Sequence, residues 1–279
     1  MFGSPSTRDH KPDKIFYQIM KLTIVIPVYI ANDLHLDFTR QTLGSIKTKH
    51  DHEVLLINNY CAPELIQELS LLASHYPLVT CIQNSNGNIL ASAWNLGIKL
   101  SFASDFCIIL NNDILLHPQA IDNLVDFSQG HPEFLLWSGT EWPNQRTLSE
   151  ATWDNSFSLH PHFSCFMVSP QTIEKIGWFD EHFAMGYFED NDYHTRLMLA
   201  GYQASASTAV KFYHYGSRTI NVDDSLKSEA KYHYQKNRAY FKKKWGLDIH
   251  GHGYSPPAKI LKEIYSHPFN NPKKSLKDW

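Results

Sequence analysis

The fold is decided by the stretch LTIVIPVY, residues 22–29, an almost unbroken run of apolar and β-branched side chains. Such a run predicts a strand buried on both faces, as in a parallel sheet that helices cover. Similar runs recur at residues 53–57, 78–82 and 105–110, and segments with helical spacing separate them, at residues 36–47, 63–75 and 89–101. This alternation predicts an α/β fold with a mostly parallel central sheet flanked by helices.

The alternation becomes less regular beyond residue 130. There we predict, in chain order, a Trp-rich loop (137–153), a strand (163–169), a helix (190–200), a strand (208–213) and a basic amphipathic helix (225–245). Residues 1–20 are polar and mixed in charge, which is typical of a flexible lead-in. The predicted divisions are this lead-in, a main domain of residues 21–225 with halves 21–130 and 131–225, and a basic C-terminal helical extension of residues 226–279.

The composition excludes several classes of protein. Of the 279 residues, 43% are hydrophobic and 19% are charged, which is too apolar for a disordered chain. No apolar run approaches the roughly 18 to 20 residues that cross a bilayer, and residues 1–21 lack the apolar core of a secretory signal. The four cysteines are scattered without a C-x-x-C pair, so we expect neither disulfides nor a zinc site, and a reducing, cytoplasmic location.

The formal net charge of −3 conceals an asymmetry along the chain. Residues 1–225 carry 13 basic and 24 acidic side chains, a net −11, whereas residues 226–279 carry 12 and 4, a net +8. The basic end lacks a recognition motif for nucleic acid, so no nucleic-acid partner is expected. The acidic body is consistent with a site that needs a cation.

Polar residues follow the predicted strand 105–110 directly, as Asn111, Asn112 and Asp113. In a parallel sheet, ligands bind beyond the carboxyl ends of the strands, and a carboxylate there is held rigidly. Mg²⁺ or Mn²⁺ takes one or two such oxygens and obtains the others from phosphates and water. The same residues also favour a simple turn, so the segment predicts either a metal site or a turn.

Three carboxylates, Glu189, Asp190 and Asp192, stand at the start of the predicted helix 190–200. The helix dipole favours negative charge there, and Asp192 could form a purely structural pair with Arg196. That pair does not account for Glu189 and Asp190, because clustered carboxylates raise one another's pKa values unless a cation or partner is near. The cluster suits a general base beside a metal site.

His214 follows the predicted strand 208–213 and so stands at another strand end. A histidine can be a metal ligand or an ordinary packed residue, and this chain has 16 of them. Its position at a strand end favours a role as a metal ligand.

The first half of the chain resembles the family 2 inverting glycosyltransferases, which have the GT-A fold. Residues 22–29 and 53–59 resemble the first two strands of these enzymes, and residues 84–97 resemble their N-G…N-x-G segment. Residues 110–113 resemble their DXD-type metal motif.

The second half continues the resemblance in the same order. Residues 177–181 and 187–192, with Arg196 and Gly201 behind them, are similar to the acceptor-side E-D-x-D…R…G signature. His214 and the segment Lys244-Trp245-Gly246 resemble bacterial rhamnosyl- and polysaccharide-type transferases. The likeness extends over residues 21–246.

The resemblance implies metal-dependent, inverting transfer of a sugar from a UDP- or dTDP-linked donor to a hydroxyl of a glycan or lipid-linked glycan. Residues 21–130 would be the nucleotide-sugar half and residues 131–225 the acceptor half. Asp113 and His214 would bind Mn²⁺ or Mg²⁺, and Asp190 would deprotonate the acceptor. Residues that would bind the nucleotide sugar are Pro27, Tyr29, Asn58, Asn86, Asn95, Asn111 and Asn112. Glu189 and Asp192 would be supporting residues that orient the acceptor or the base, and Trp178 would be part of the acceptor wall.

The chain departs from the family pattern at two points. Asn58 replaces the usual Asp that accepts from the N3–H of uracil or thymine, and a neutral amide oxygen accepts that bond more weakly. The metal motif keeps Asp113 as its single charged donor, which fits a cation held largely by the diphosphate.

Two other functions compete with this one. A sugar-1-phosphate nucleotidyltransferase would need a Gly-rich, basic phosphate loop after the first strand, but residues 29–33 contain no Gly, Lys or Arg. A catalytically silent sugar-nucleotide or glycan-binding module is not expected to carry Asp113, Asp190 and His214 together.

The basic extension also predicts a location. Its lysines, above all Lys242–Lys244 with Lys259, Lys262, Lys273 and Lys274, suit an anionic membrane surface or a lipid-linked acceptor. The alternative is a solvated helix face. The expected location is therefore the cytoplasm, either free or at the inner membrane face.

Overall fold

A single mixed sheet forms the centre of the computed structural model, which describes residues 18–216 and 224–246. Its strands are β1 (Lys21–Ile30), β2 (Asp51–Cys61), β3 (Val79–Gln83), β4 (Phe106–Leu110), β5 (Ile114–Leu116), β6 (Phe134–Glu141), β7 (Phe157–Ser158), β8 (Cys165–Val168) and β9 (Gln203–His214). The helices are α1 (Asp33–Ser45), α2 (Ile66–Ser74), α3 (Leu90–Leu100), α4 (Ala120–Gly130), α5 (Pro170–Ile176), α6 (Glu189–Leu199) and α7 (Asp224–Trp245). The predicted α/β class is confirmed.

The strands follow the order β3-β2-β1-β4-β8-β6-β9-β5, with β7 paired to β9. From β3 to β4 all pairs are parallel, whereas β8 runs antiparallel to both β4 and β6. The two reversals cancel, and β6 and β9 are parallel, so β9 points the same way as β4. The sheet is parallel over residues 21–110 but mixed beyond them, and the carboxyl ends of β4 and β9 lie at one edge.

The central strand β1 is buried on both faces, as its sequence predicts. Leu22, Ile24 and Ile26 pack into one hydrophobic cluster, Val25 packs into a second on the opposite face, and all four are 0% exposed. Pro27 follows the last pairing of β1 with β4, where a missing backbone N–H does not interrupt the ladder.

Helix α3 crosses β1 at Gly97. A Cβ added to this glycine would lie 2.3 Å from a methyl carbon of Val25, closer than any unstrained contact. We expect Gly97→Ala to lower the free energy of unfolding by about 1–3 kcal/mol, because a packed core resists an added methyl group. Thermal or urea unfolding would measure this loss. Gly130→Ala is the matched control, since no atom lies within 4 Å of its added Cβ. Equal stability of the two variants would contradict the tight crossing.

The Trp-rich loop predicted at residues 137–153 is partly wrong, because residues 134–141 form strand β6 and Trp137 is 5% exposed. Gly139 lies within this strand. An added Cβ there would lie 2.9 Å from the carbonyl oxygen of Val210, so the close approach of β6 and β9 requires a glycine.

The predicted basic helix is present as α7, but it is not a separate tail. Its Phe241 and Trp245 pack with Phe183 and Phe188 into a third hydrophobic cluster. The main-domain boundary drawn at residue 225 would cut α7 within its first turn. Among the described residues, no helix is both long and apolar enough to cross a membrane.

Candidate active site

Asp113 and His214 meet at the carboxyl edge of β4 and β9. Short strand β5 follows Asp113 and pairs antiparallel with β9, in the register Ile114 with His214. That register places His214 Nε2 3.1 Å from Asp113 Oδ1, although the residues are 101 positions apart. Asp113 is 5% exposed, and Tyr215 N–H donates to its carbonyl oxygen at 3.0 Å. The sheet therefore assembles the pair that the sequence singled out.

A second histidine, His162, lies near this pair. Burial alone would lower the pKa of His214, but the hydrogen bond and charge of Asp113, with the charge of Glu141, together raise it. His162 has its ring centroid 6.3 Å from that of His214 and its Nε2 3.3 Å from Glu141 Oε2. Burial lowers the pKa of His162. Sequence reasoning missed His162, which follows no predicted strand.

The donor set of this pair fits a hard divalent cation with few protein ligands. Two ligands at adjacent corners of an octahedron with bonds of about 2.1 Å stand about 3 Å apart, close to the separation of Asp113 Oδ1 and His214 Nε2. Over residues 18–216 and 224–246, no three His, Cys, Asp or Glu side chains are grouped to hold a metal ion. A cation here would take its remaining ligands from a bound phosphate and water.

The two asparagines before Asp113 bind the protein around them. Asn111 donates from Nδ2 to Ser164 Oγ at 3.1 Å, and its backbone N–H donates to the Ser164 carbonyl. Asn112 is buried and donates to Thr39 Oγ1 at 3.1 Å. Both amides fix the turn that presents Asp113, and their predicted contact with a donor stays a prediction.

Aromatic and amide side chains line the ends of β1 and β2. The rings of Tyr29 and Tyr60 stack at 4.8 Å, and Tyr60 is 40% exposed. Asn58 donates from Nδ2 to Gln83 Oε1 at 2.8 Å, while Gln83 Nε2 donates to the carbonyls of Asn58 and Asn84. These bonds fix both amide orientations, and they leave Asn58 Oδ1 buried without a hydrogen-bond donor. Buried acceptors are rarely left without a donor, which makes Asn58 a candidate for contact with an N–H group of a ligand.

The predicted N-G…N-x-G segment is tied to the chain that precedes α6. Asn95 donates to Glu181 and to the Phe179 carbonyl, and it accepts from the Phe179 N–H at 2.9 Å. Asn86 donates to Ser92 Oγ and to Glu181 Oε2, both at 3.0 Å. Asn95 is 3% exposed, so its observed contacts are structural ones within the fold.

The carboxylate cluster lies on the first turn of α6, after a run of strained backbone. Met185, Tyr187 and Phe188 have left-handed φ angles of 65°, 75° and 73°. Residues other than glycine adopt this region rarely, and such strain clusters at functional sites. Met185 also bonds to the backbone before α3: its N–H donates to Asn88, and its carbonyl accepts from Leu90. These contacts bring the start of α6 to the carboxyl edge of the parallel strands.

Glu189 and Asp190 have different environments on that turn. Glu189 is 4% exposed, and its Oε2 has no hydrogen-bond partner. Burial, together with the charges of Asp190 and Asp192, raises the pKa of Glu189 well above its usual range. Asp190 is half-buried and accepts from the Asn191 N–H at 2.7 Å. Of the two, Asp190 is the carboxylate with access to solvent.

Asp192 lies in the interior and is 0% exposed. It accepts from Arg196 Nε at 2.9 Å, from Trp245 Nε1 at 2.9 Å and from Lys244 Nζ at 2.7 Å. The structural alternative raised for Asp192 and Arg196 is therefore present, and a supporting role of Asp192 beside the base stays a prediction. Lys244 also pairs with Asp180 at 2.6 Å and is not available to a membrane surface. Lys242 and Lys243 are exposed, and the tail lysines from Lys259 onward lie outside the described residues.

Trp178 lies at the wrong end of the molecule for the predicted acceptor wall. Its ring packs on Phe102 at 5.9 Å and under Lys99 Nζ at 5.2 Å, at the end of α3. That end neighbours the start of β1, where Lys21 N–H bonds to Asp105. Trp178 therefore packs at the amino edge of the sheet, opposite Asp113.

Comparisons with known proteins bear on the family and the fold of this chain. The sequence model described as "Glycosyl transferase family 2" matches residues 23–177. A protein named "Galactofuranosyl glycosyltransferase" from Leishmania donovani is 35% identical over 86 residues. That match covers 30% of this chain but only 19% of the relative, so the chain corresponds to about a fifth of that protein.

Two solved structures share the fold at low sequence identity. One is "Mannosyltransferase PcManGT from Pyrobaculum calidifontis in complex with GDP-Man and Mn2+", at TM-score 0.60 and 16% identity, covering 91% of this chain and 71% of that one. The other is GalNAc-T7 with UDP, GalNAc and Mn²⁺, at TM-score 0.56 and 12% identity, covering 88% of this chain and 54% of that one. At such low identities the likeness shows the fold alone.

Proposed function

The chain belongs to glycosyl transferase family 2, and on that premise we propose that it transfers a sugar from a nucleoside diphosphate sugar to an acceptor hydroxyl. The observation that carries the proposal is that three groups of side chains lie at the carboxyl edge of the sheet. These are the Asp113–His214 pair, Asn58 near the end of β2, and Asp190 on the first turn of α6. Both solved relatives were captured with a nucleotide or nucleotide sugar and Mn²⁺, which supports this choice of substrate and cation.

The proposed mechanism assigns cation binding and proton acceptance to two different sets of side chains. Asp113 and His214 would hold Mn²⁺ or Mg²⁺, which when bound offsets the negative charge that develops on the departing diphosphate. Asp190 accepts the proton of the acceptor hydroxyl as that oxygen attacks the anomeric carbon. Glu189 is 4% exposed, whereas Asp190 has access to solvent, so the base is assigned to Asp190. A single displacement of this kind inverts the anomeric configuration.

The nucleobase would bind between the Tyr29–Tyr60 stack and Asn58. Since Asn58 Oδ1 is a buried acceptor, it pairs with the N3–H of uracil or thymine, whereas N3 of cytosine is itself an acceptor. We expect UDP and dTDP to bind at least about 10-fold more tightly than CDP, the usual penalty for facing two acceptors in a buried site. Calorimetric titration of the three diphosphates with Mn²⁺ would measure the difference, and equal affinities would remove Asn58 from base recognition.

The acceptor is proposed to be a glycan or a lipid-linked glycan, on the resemblance of residues 177–201 to an acceptor-side signature. Whether the basic end meets a membrane stays a prediction. Sedimentation with anionic vesicles, comparing the full chain with a chain lacking residues 247–279, would test it. Equal partitioning of the two chains would exclude that segment from membrane binding.

The reaction class has a direct test. The purified protein would be incubated with a panel of sugar nucleotides and Mn²⁺, and the released nucleoside diphosphate would be measured with and without candidate acceptors. Slow release of the diphosphate from the donor alone, with faster release when an acceptor is present, supports a transferase. The anomeric configuration of the product tests inversion. Turnover that depends on pyrophosphate would support a nucleotidyltransferase instead. Binding of donors without any turnover would support a silent binding module.

A further inference from the structure

Helix α7 contacts the strained loop of residues 184–188, which leads directly into the carboxylates of α6. Phe188 packs against Tyr234 and Phe241 of α7, with ring centroids 5.2 and 5.7 Å apart. Tyr187 also contacts Tyr234, at 5.5 Å. Each left-handed residue in this loop costs about 1–3 kcal/mol, so the loop keeps its shape only while its surroundings hold it.

Asn237 supplies the polar part of that support. Its side chain is 2% exposed, and Nδ2 donates to the carbonyls of Ala184 at 2.9 Å, Gly186 at 2.8 Å and Tyr187 at 3.1 Å. An amide has two N–H groups, so one of them is shared between two carbonyls. One side chain of α7 thus donates to three carbonyls of the loop, each from a residue that has a left-handed φ angle or adjoins one that does.

Helix α7 also bonds to the chain on the C-terminal side of Asp190. Lys244 and Trp245 both bond to Asp192, at 2.7 and 2.9 Å. Asp190 therefore lies between two segments that α7 fixes, the loop at 184–187 and the side chain of Asp192. No contact of α7 with Asp190 itself is needed for α7 to set its position.

We propose that Asn237 is a positioning residue for Asp190, acting through the carbonyls of residues 184, 186 and 187. The inference rests on the proposed function, in which Asp190 is the base. If the loop relaxes, Asp190 moves relative to a donor held by other elements. Misplacement of a reacting group lowers turnover while it leaves donor binding intact.

The test uses the full chain with Asn237→Asp, which keeps the shape of the side chain but removes its N–H donors, and Asn237→Ala, which removes them without adding charge. For each we expect kcat for transfer to fall about tenfold or more. The dissociation constant of UDP with Mn²⁺ should stay within about twofold of wild type, since those contacts are unchanged. Hydrogen exchange of the amides at residues 185–192 should become faster.

The matched control is Asn123→Asp, because Asn123 Nδ2 also donates to a carbonyl, that of Ala209, but between α4 and β9. It should change neither kcat nor exchange at residues 185–192. Unchanged exchange there in Asn237→Ala would overturn the inference, as would faster exchange with an unchanged kcat. Absence of transfer by the wild type would overturn the proposed function. Hydrogen exchange at residues 185–192 would still show whether Asn237 stabilises the loop.

Discussion

Asp190→Asn is expected to lower the rate of sugar transfer by about 10³-fold or more, within the range that general-base catalysis contributes. Asparagine has the shape of aspartate but cannot take up the acceptor proton. Its side-chain oxygen can still accept the Asn191 N–H that Asp190 Oδ1 accepts, so the first turn of α6 should keep its structure. Glu189 is only 4% exposed and so is not placed to replace the lost base.

Two measurements define this result. Initial rates of transfer should fall, while calorimetric titration of UDP with Mn²⁺ should give the wild-type dissociation constant. Asp126→Asn is the control for the same chemical change on the surface of α4, where the ion pair with Lys49 is long, at 3.6 Å, and exposed. Near-wild-type transfer by Asp190→Asn would exclude Asp190 as the base.

Asp113→Ala is expected to abolish the part of donor binding that depends on a metal ion. Asp113 is the carboxylate of the two-residue pair, and a lone His214 provides one neutral nitrogen. We expect the affinity for UDP in Mn²⁺ to fall by about 100-fold or more, since even the loss of an outer-shell partner can cost that much in metal affinity. The wild-type protein in EDTA should bind UDP as weakly as the variant does in Mn²⁺.

Asp105→Ala is the matched control for this substitution. Asp105 directly precedes β4, at the opposite edge of the sheet, and is exposed, with its carboxylate bonded to Lys21 N–H. That variant should bind UDP like the wild type. Circular dichroism and thermal unfolding would show that both variants fold, and an unchanged affinity of folded Asp113→Ala in Mn²⁺ would refute the metal site.

The sequence predicted the parts of this molecule that obey local rules. A β-branched run such as residues 22–29 has few alternatives to a buried strand, and polar residues after a parallel strand must lie at its carboxyl edge. Asp113 could therefore be located on the sheet from the sequence. Its pairing with His214 was expected only from the family resemblance, because it depends on two antiparallel steps through β8, which no local pattern encodes.

The residues whose surroundings the sequence did not predict are those whose positions depend on long-range contacts. Trp178 stands beside an acceptor motif in sequence, but its segment runs along α3 and leaves the ring at the far edge of the sheet. Lys244 belongs to a basic run that suggests a solvated face, yet it enters the interior because two carboxylates are there to meet it. Asn237 carries no signal at all, since an asparagine within a polar helix is ordinary until its partners are known.

The ion pairs of Lys244 also limit how this chain can be cut or recombined. Asp180 and Asp192 both pair with Lys244, on a helix that lies well beyond the family match at residues 23–177. A chain ended before Lys244 would retain buried carboxylates without that cation, a penalty of several kcal/mol. Truncations, fusions and exchanges of segments with relatives therefore need their junctions after Trp245, and a transplanted α6 must travel together with its own α7.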